Sequence, residues 1–339
     1  MIINTGGRTD TVQYYTDWLL RRFAEGYVLV RNPRFPEKVT RYELDPAVVD
    51  CVVFCSKNYA PILPRLREIT DRFNTYFFYT ITAYGRDMEP GVPDIDASIE
   101  TLIELERIVG RERIVWRYDP VLLSERYTTE AHRRTFDDMA RRLASHVSRC
   151  VFSFVEPYRK LDRNMPELLP LMEEERVYMA GLLGGVAREH GLRLQACATR
   201  EDFSAYGVER AGCVTLEALG AANGVTFRKL AHRGMREGCA CMEMRDIGAY
   251  NSCPNGCRYC YANADARGAA RTFREQHDPA SPLMLGHLRP GDVVTQATQR
   301  SYLAAGARAA RQAVAPGRER LELYGAPLSR KDCLCWGTR

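Results

Sequence analysis

The sequence predicts an α/β protein: a TIM-like barrel, partial or complete, over residues 1–200, with a Cys-rich region behind it. Three observations carry this expectation. Short apolar runs alternate with amphipathic stretches through the first 200 residues, the signature of a parallel sheet. Several runs are apolar throughout, as in Val52-Val53-Phe54, which suits strands covered on both faces. No glycine-rich dinucleotide fingerprint follows the first run, and about seven strands in this length fit a barrel better than an open sheet of two halves.

The elements follow in order. Strands are expected at residues 1–4, 27–31, 51–57, 76–84, 114–118, 150–155 and 192–198, all rich in Val, Ile, Phe and Tyr. Residues 11–25 place Tyr15, Trp18, Leu19 and Phe23 on one helical stripe. Residues 95–109 do the same with Ile99, Leu102, Ile103 and Leu105, with Asp94 or Asp96 as the cap. Helices over 128–146 and 167–190 complete the alternation and put His132, His146 and His190 at the surface. From 199 the pattern changes. Residues 199–235 read as a connection with one short helix at 215–222, and 236–287 as an irregular Cys-, Gly- and Asn-rich stretch. Residues 288–339 read as a tail with a helix at 301–313. The domain reading is therefore a barrel at 1–200, a connecting and Cys-rich cluster-binding region at 201–287, and a basic helical tail at 288–339.

Composition excludes several classes. At 45% hydrophobic and 27% charged, the 339-residue chain is not disordered as a whole. The longest apolar stretch without a charge, residues 177–187, has 11 residues, whereas a membrane span needs about 20. No basic region followed by a long apolar one opens the chain, so the expected compartment is the cytoplasm. The net charge of +5 resides in residues 288–339, and a basic tail is one route to nucleic acid. A solvated helix is the commoner use of such a segment.

Cysteine is the informative residue. Five of the 12 Cys fall between 239 and 260. In a chain without a secretion signal, such crowding reads as metal or redox chemistry rather than a disulfide framework. Cys253-Pro254-Asn255-Gly256-Cys257-Arg258-Tyr259-Cys260 has the form C-x3-C-x2-C. Three thiolates on one short loop can hold three corners of a 4Fe–4S cluster and leave the fourth iron open. Pro254-Asn255-Gly256 is turn chemistry, and Gly256 permits close backbone approach. A zinc loop is the rival, and it would need a fourth ligand borrowed from Cys239, Cys241 or His277.

This spacing, with an aromatic before the last Cys, is the motif of the radical S-adenosylmethionine superfamily. The chain also resembles the bacterial family called domain of unknown function 1848. The resemblance rests on Gly7-Arg8-Thr9-Asp10, on the run from Glu25 to Pro33, and on Val49-Asp50-Cys51-Val52-Val53-Phe54. It continues in Trp116-Arg117-Tyr118-Asp119-Pro120, Asp246-Ile247-Gly248-Ala249-Tyr250-Asn251, Cys257-Arg258-Tyr259-Cys260-Tyr261-Ala262-Asn263 and His277-Asp278-Pro279. It implies a radical-SAM-like cysteine cluster near the C-terminus. Three departures stand out. The loop follows the last strand candidate instead of the first. No counterpart of the usual glycine-rich and ribose-binding cofactor motifs is present. Cys55-Ser56-Lys57-Asn58 stands where the family leads one to expect Trp-Thr-Lys-Asn.

Barrel chemistry sits where strands end. Lys57, Tyr84, Arg117 and Asp119 are the candidate catalytic residues, and Lys57 stands out because the chain has only five Lys. Tyr259, Arg8 and Asp10 are the candidates for cofactor contact, with Tyr259 covering the adenine side. For Arg8, Asp10, Arg117 and Asp119 two readings stay open: anion or ribose binding, or ion pairs that pin loops. Cys197, Cys213, Cys239 and Cys241 form a second candidate set, for zinc or an auxiliary cluster. Its rival reading keeps Cys197 and Cys213 in the core and only the Cys239–Cys241 pair as ligands. Cys51, Cys55 and Cys150 read as packing residues, and Cys333 and Cys335 as exposed thiols.

The expected function is an iron–sulfur enzyme of the radical S-adenosylmethionine type. A 4Fe–4S cluster at Cys253, Cys257 and Cys260 would generate a 5′-deoxyadenosyl radical on an unidentified substrate. The expected partners are that substrate and an electron donor such as a flavodoxin or ferredoxin, and no membrane. The alternative is a metal-stabilised binding protein whose basic tail contacts nucleic acid.

Overall fold

The structure, a computed structural model, describes residues 1–228 and 239–304. Its centre is a parallel sheet of eight strands. These are β1 (Ile2–Asn4), β4 (Cys51–Ser56), β5 (Thr75–Thr80), β6 (Ile114–Val121), β7 (Arg149–Phe154), β8 (Leu194–Ala196), β9 (Val208–Arg210) and β10 (Arg245–Asp246). The spatial order is β10-β1-β4-β5-β6-β7-β8-β9, and every ladder is parallel. From β1 to β9 each strand of this sheet lies beside the one before it. A sheet wound in one direction by right-handed crossovers collects its helices on one face. Residues of α2 (Thr16–Glu25), α3 (Arg67–Thr70), α4 (Ile95–Val109), α5 (Thr129–Leu143) and α7 (Glu173–Glu189) accordingly share one apolar core with alternate strand residues. Phe54 stacks on Phe77 at 4.9 Å, and Trp116 stacks on Phe136 at 4.9 Å. The opposite strand face, with Ile2, Cys51, Val53, Tyr76, Phe78, Val115 and Val151, packs a second core. Leu216 and Leu219 of α8 (Leu216–Asn223) cover it. Asn223 reaches the backbone of Thr75, so α8 lies at the end where the strands begin. Among the described residues no ladder joins β9 to β10.

The expected α/β fold with a large parallel sheet is what the chain forms. The parallel sheet also takes two strands, β9 and β10, from beyond residue 200. Other elements differ from expectation. The strand at 27–31 exists as β2 (Tyr27–Arg31) but leaves the main sheet. It pairs antiparallel with β3 (Lys38–Glu43), and β11 (Val293–Gln296) lies on the far side of β3. Nothing local in the sequence marks β3, because four of the six residues of Lys-Val-Thr-Arg-Tyr-Glu are polar and only Val39 is fully covered. Its two apolar residues, Val39 and Tyr42, are three apart, so no strand period shows. The helix at 11–25 breaks at Tyr15 into α1 (Thr11–Tyr14) and α2. The helix expected from 167 begins at Glu173, behind a single turn, α6 (Leu161–Asn164). The Cys-rich stretch holds a helix, α9 (Ala266–Gln276), capped by Asp265. Residues 301–304 are not helical: Leu303 bridges to Phe227 in antiparallel fashion. The remainder of the expected tail helix, with Cys333 and Cys335, lies outside the described residues. No described helix is long and apolar enough to cross a membrane.

His132 is not a surface residue. It heads the stripe His132, Phe136, Met139, Ala140, Leu143 on α5, which faces the sheet. Its Nε2 donates to the Leu122 carbonyl at 2.8 Å, and its Nδ1 lies 2.6 Å from the Tyr118 hydroxyl. A carbonyl only accepts, so the proton sits on Nε2 and Nδ1 accepts from Tyr118.

Candidate metal centre

The cysteine loop docks onto the edge where the parallel strands end. Asn255 carries much of the docking. Its carbonyl accepts the Gly91 N–H at 2.8 Å, its amide donates to Asp10 at 3.3 Å, and its amide oxygen accepts from Tyr14 at 3.1 Å. The Arg258 N–H reaches the Met88 carbonyl, and the Arg258 side chain pairs with Glu167. Within the loop, Asn263 donates to the Cys253 carbonyl at 2.7 Å. Gly256 turns the chain at φ 71°, in the left-handed region where a side chain is strained.

The sulfurs are already approached by backbone donors. The N–H groups of Asn255 and Asp10 point at the Cys253 sulfur, and the Ala262 N–H donates to the Cys260 sulfur at 3.3 Å. Burial, with Asp10 adding to it, pushes the Cys253 thiol up to about 12. Burial and then Glu89 push the Cys257 thiol well up, while Lys57 pulls it back. The three sulfurs feel one another electrostatically. They do not meet the 4.8 Å mutual spacing that marks a single-ion site, and no His, Asp or Glu completes one with them among the described residues. A cavity of about 220 Å³ lies against Cys257, Cys260, Gly256 and Asn263.

Lys57 sits beside this loop. Its ammonium pairs with Glu89 at 2.9 Å and lies 5.7 Å above the Tyr259 ring. Glu89 also accepts from Thr82 at 2.9 Å and from the Tyr259 hydroxyl. Burial works against the Lys57 charge, but Glu89 and then Cys257 outweigh it and leave its pKa raised. Tyr84 packs edge-on to Tyr259 at 5.7 Å and spends its hydroxyl on the Pro120 carbonyl and the Leu122 N–H. Arg117 pairs with Asp119 and donates to the Cys55 sulfur at 3.2 Å, and Ser153 donates to Asp119.

Asp10 and Arg8 each have partners within the protein. Asp10 caps α1 through Gln13 and accepts from Ser56 at 2.6 Å and from the Lys57 N–H at 2.9 Å. Arg8 lies over the Tyr250 ring and within 3.9 Å of Asp246, which links the ends of β1 and β10. Glu89 and Ser153 carry no signal in the sequence, and Asn255 and Asp246 stand out there only as turn chemistry and as part of the family resemblance. Glu89 lies in Met88-Glu89-Pro90-Gly91, which reads as a turn, and nothing local marks its partner 32 residues earlier.

The second cysteine set converges as well. The sulfurs of Cys197, Cys213 and Cys241 lie within 4.8 Å of one another, all buried, and Cys239 contacts Cys241 through its thiol. Hydrogen bonds from Cys213 and Cys241 hold the Cys197 thiol well below its usual value. Arg117 lies within electrostatic reach of Cys197 and Cys213, between the two sets.

The family model described as a domain of unknown function (DUF1848) matches residues 2–262. The chain belongs to this family. The match spans both cysteine sets of this domain of unknown function 1848 protein and ends just past Cys260. No curated protein and no solved structure matches the chain.

Proposed function

We propose that the protein is an iron–sulfur enzyme of the radical S-adenosylmethionine type, its site set in the mouth of a barrel-like sheet. What supports this reading is the donor set at the strand ends. Three thiols share one docked loop, backbone N–H groups approach two of their sulfurs, and no fourth ligand closes a tetrahedron among the described residues. Such a set suits a 4Fe–4S cluster held at three corners. When bound, the cluster supplies the electron that cleaves S-adenosylmethionine and yields a 5′-deoxyadenosyl radical, chemistry that belongs to the cofactor.

The chain's own residues prepare the site. Lys57 places a positive charge beside Cys257 and favours its thiolate. Glu89 holds Lys57 and Tyr259 in register. Tyr259 and Tyr84 form an aromatic wall that keeps water from Cys257. Arg117, oriented by Asp119 and Ser153, is the cation for an anionic group of substrate or cofactor. Asp10 and Arg8 pin loops here instead of touching ligand. A flavodoxin or ferredoxin is the proposed electron donor.

Protein reconstituted without oxygen should hold the iron and sulfide of one 4Fe–4S cluster and lose them when Cys253, Cys257 and Cys260 are all changed to Ala. After reduction by dithionite, addition of S-adenosylmethionine should release 5′-deoxyadenosine and methionine. Cluster-loaded, reduced protein that releases neither would overturn the enzyme reading and leave a metal-stabilised binding protein.

A further inference from the structure

Cys197, Cys213 and Cys241 come from three places that the fold has reason to join. Cys197 directly follows β8, Cys213 stands three residues past β9, and Cys241 stands four residues before β10. The strands β9 and β10 are the two ends of the eight-strand order. The thiols therefore meet across the gap between the sheet's two edges.

Their spacing discriminates between metals. Thiolates sharing one tetrahedral ion at about 2.3 Å stand about 3.8 Å apart. Thiolates on separate irons of a cube stand farther apart. The mutual limit of 4.8 Å for these three sulfurs suits one ion, unlike the wider spread of Cys253, Cys257 and Cys260. Cys239 stands outside the mutual 4.8 Å of these three sulfurs, but it is the neighbouring thiol that can close the set as the fourth ligand. The Cys239 sulfur accepts the Cys241 N–H at 3.4 Å and its thiol touches that of Cys241. A second backbone donor converges on the set: the Cys213 N–H points at the Cys241 sulfur, at 3.1 Å. The close approach depends on Gly212, where a Cβ would meet the Ala240 carbonyl oxygen at 2.2 Å. Ala198 turns the chain just after Cys197 at φ 53°, a strained conformation for alanine. Positive charge is in place too. Arg117 lies within electrostatic reach of Cys197 and Cys213, and Arg149 donates to the Cys213 carbonyl at 2.8 Å.

We propose that Cys197, Cys213, Cys239 and Cys241 bind a single zinc-class divalent ion as a tetrathiolate, and that this ion staples the β9 edge of the sheet to the β10 edge. The site stands apart from the cluster proposed at Cys253, Cys257 and Cys260, and its test removes that loop from consideration. The full chain carrying Cys253→Ser, Cys257→Ser and Cys260→Ser, produced with zinc in the medium, should hold one zinc per chain. Exchange for Co(II) should give the intense visible bands of a tetrahedral ion together with near-ultraviolet sulfur-to-cobalt charge transfer. Adding Cys241→Ser or Cys213→Ser should lose the zinc, whereas Cys51→Ser, inside β4, should keep it. Because a ligand variant can also misfold, the cobalt spectrum of the loop variant decides by itself. Weak octahedral bands, no bound metal, or iron with matching sulfide in that variant would each overturn the proposal.

Discussion

His132 shows how one buried side chain carries a pH dependence. Burial pushes its pKa down to about 4, against the smaller upward pull of its bond to Leu122. The folded state therefore holds the ring neutral where the unfolded chain, titrating near 6.5, takes a proton. The stabilising contribution is complete above about pH 6.5 and drains away as pH falls toward 4, by up to ~3 kcal/mol. Urea unfolding of wild type and His132→Gln across pH 7 to 4 should show the wild type losing that much more. Parallel slopes would refute the lowered pKa of the buried ring. Lys57 follows the opposite logic on the other side of the sheet: a buried cation kept charged because Glu89 and Cys257 face it.

At the scale of elements, the loop and its seat form one unit. Gly91 is where the two approach closely. A Cβ there would stand 2.9 Å from the Asn255 Cα and 3.0 Å from its carbonyl oxygen, both backbone atoms that cannot swing aside. Gly91→Ala should therefore push the loop off the strand ends, at a cost of ~1–3 kcal/mol typical of overpacking. Iron retained after anaerobic reconstitution should fall, while the zinc proposed at Cys197, Cys213, Cys239 and Cys241 stays. Unchanged iron content would mean that this contact does not position the thiols. Gly110, with open space around its Cβ position, is the control site for crowding, although its φ of 81° strains any side chain.

For the whole molecule, the consequence lies at the sheet edges. Among the described residues only β8 pairs with β9 and only β1 pairs with β10, so each edge rests there on one ladder. Removing the proposed ion should lower hydrogen-exchange protection at Val208–Arg210 and at Ile247, whose N–H bonds Asn4. Protection at Val53, Phe77 and Val115 in the middle of the sheet should hold. Equal loss everywhere would mean that the ion supports global stability and not the edges.

The sequence by itself determined what depends on near neighbours. Alternating apolar runs announced the parallel sheet, and the stripe on residues 95–109 announced α4, because periodicity reports which face of an element is covered. The spacing of Cys253, Cys257 and Cys260 was equally legible, since three ligands on one turn need no knowledge of the fold. Tertiary structure alone decided the rest. It sent β2 out of the main sheet, turned His132 inward, and gave Lys57 its partner Glu89. It also favoured one of the two readings of the second cysteine set, by bringing Cys197 to Cys213 and Cys241 across the gap between β9 and β10. Local pattern says whether a side chain is covered. Which distant group covers it follows from the winding of the sheet, which sets side by side residues that no window along the chain contains.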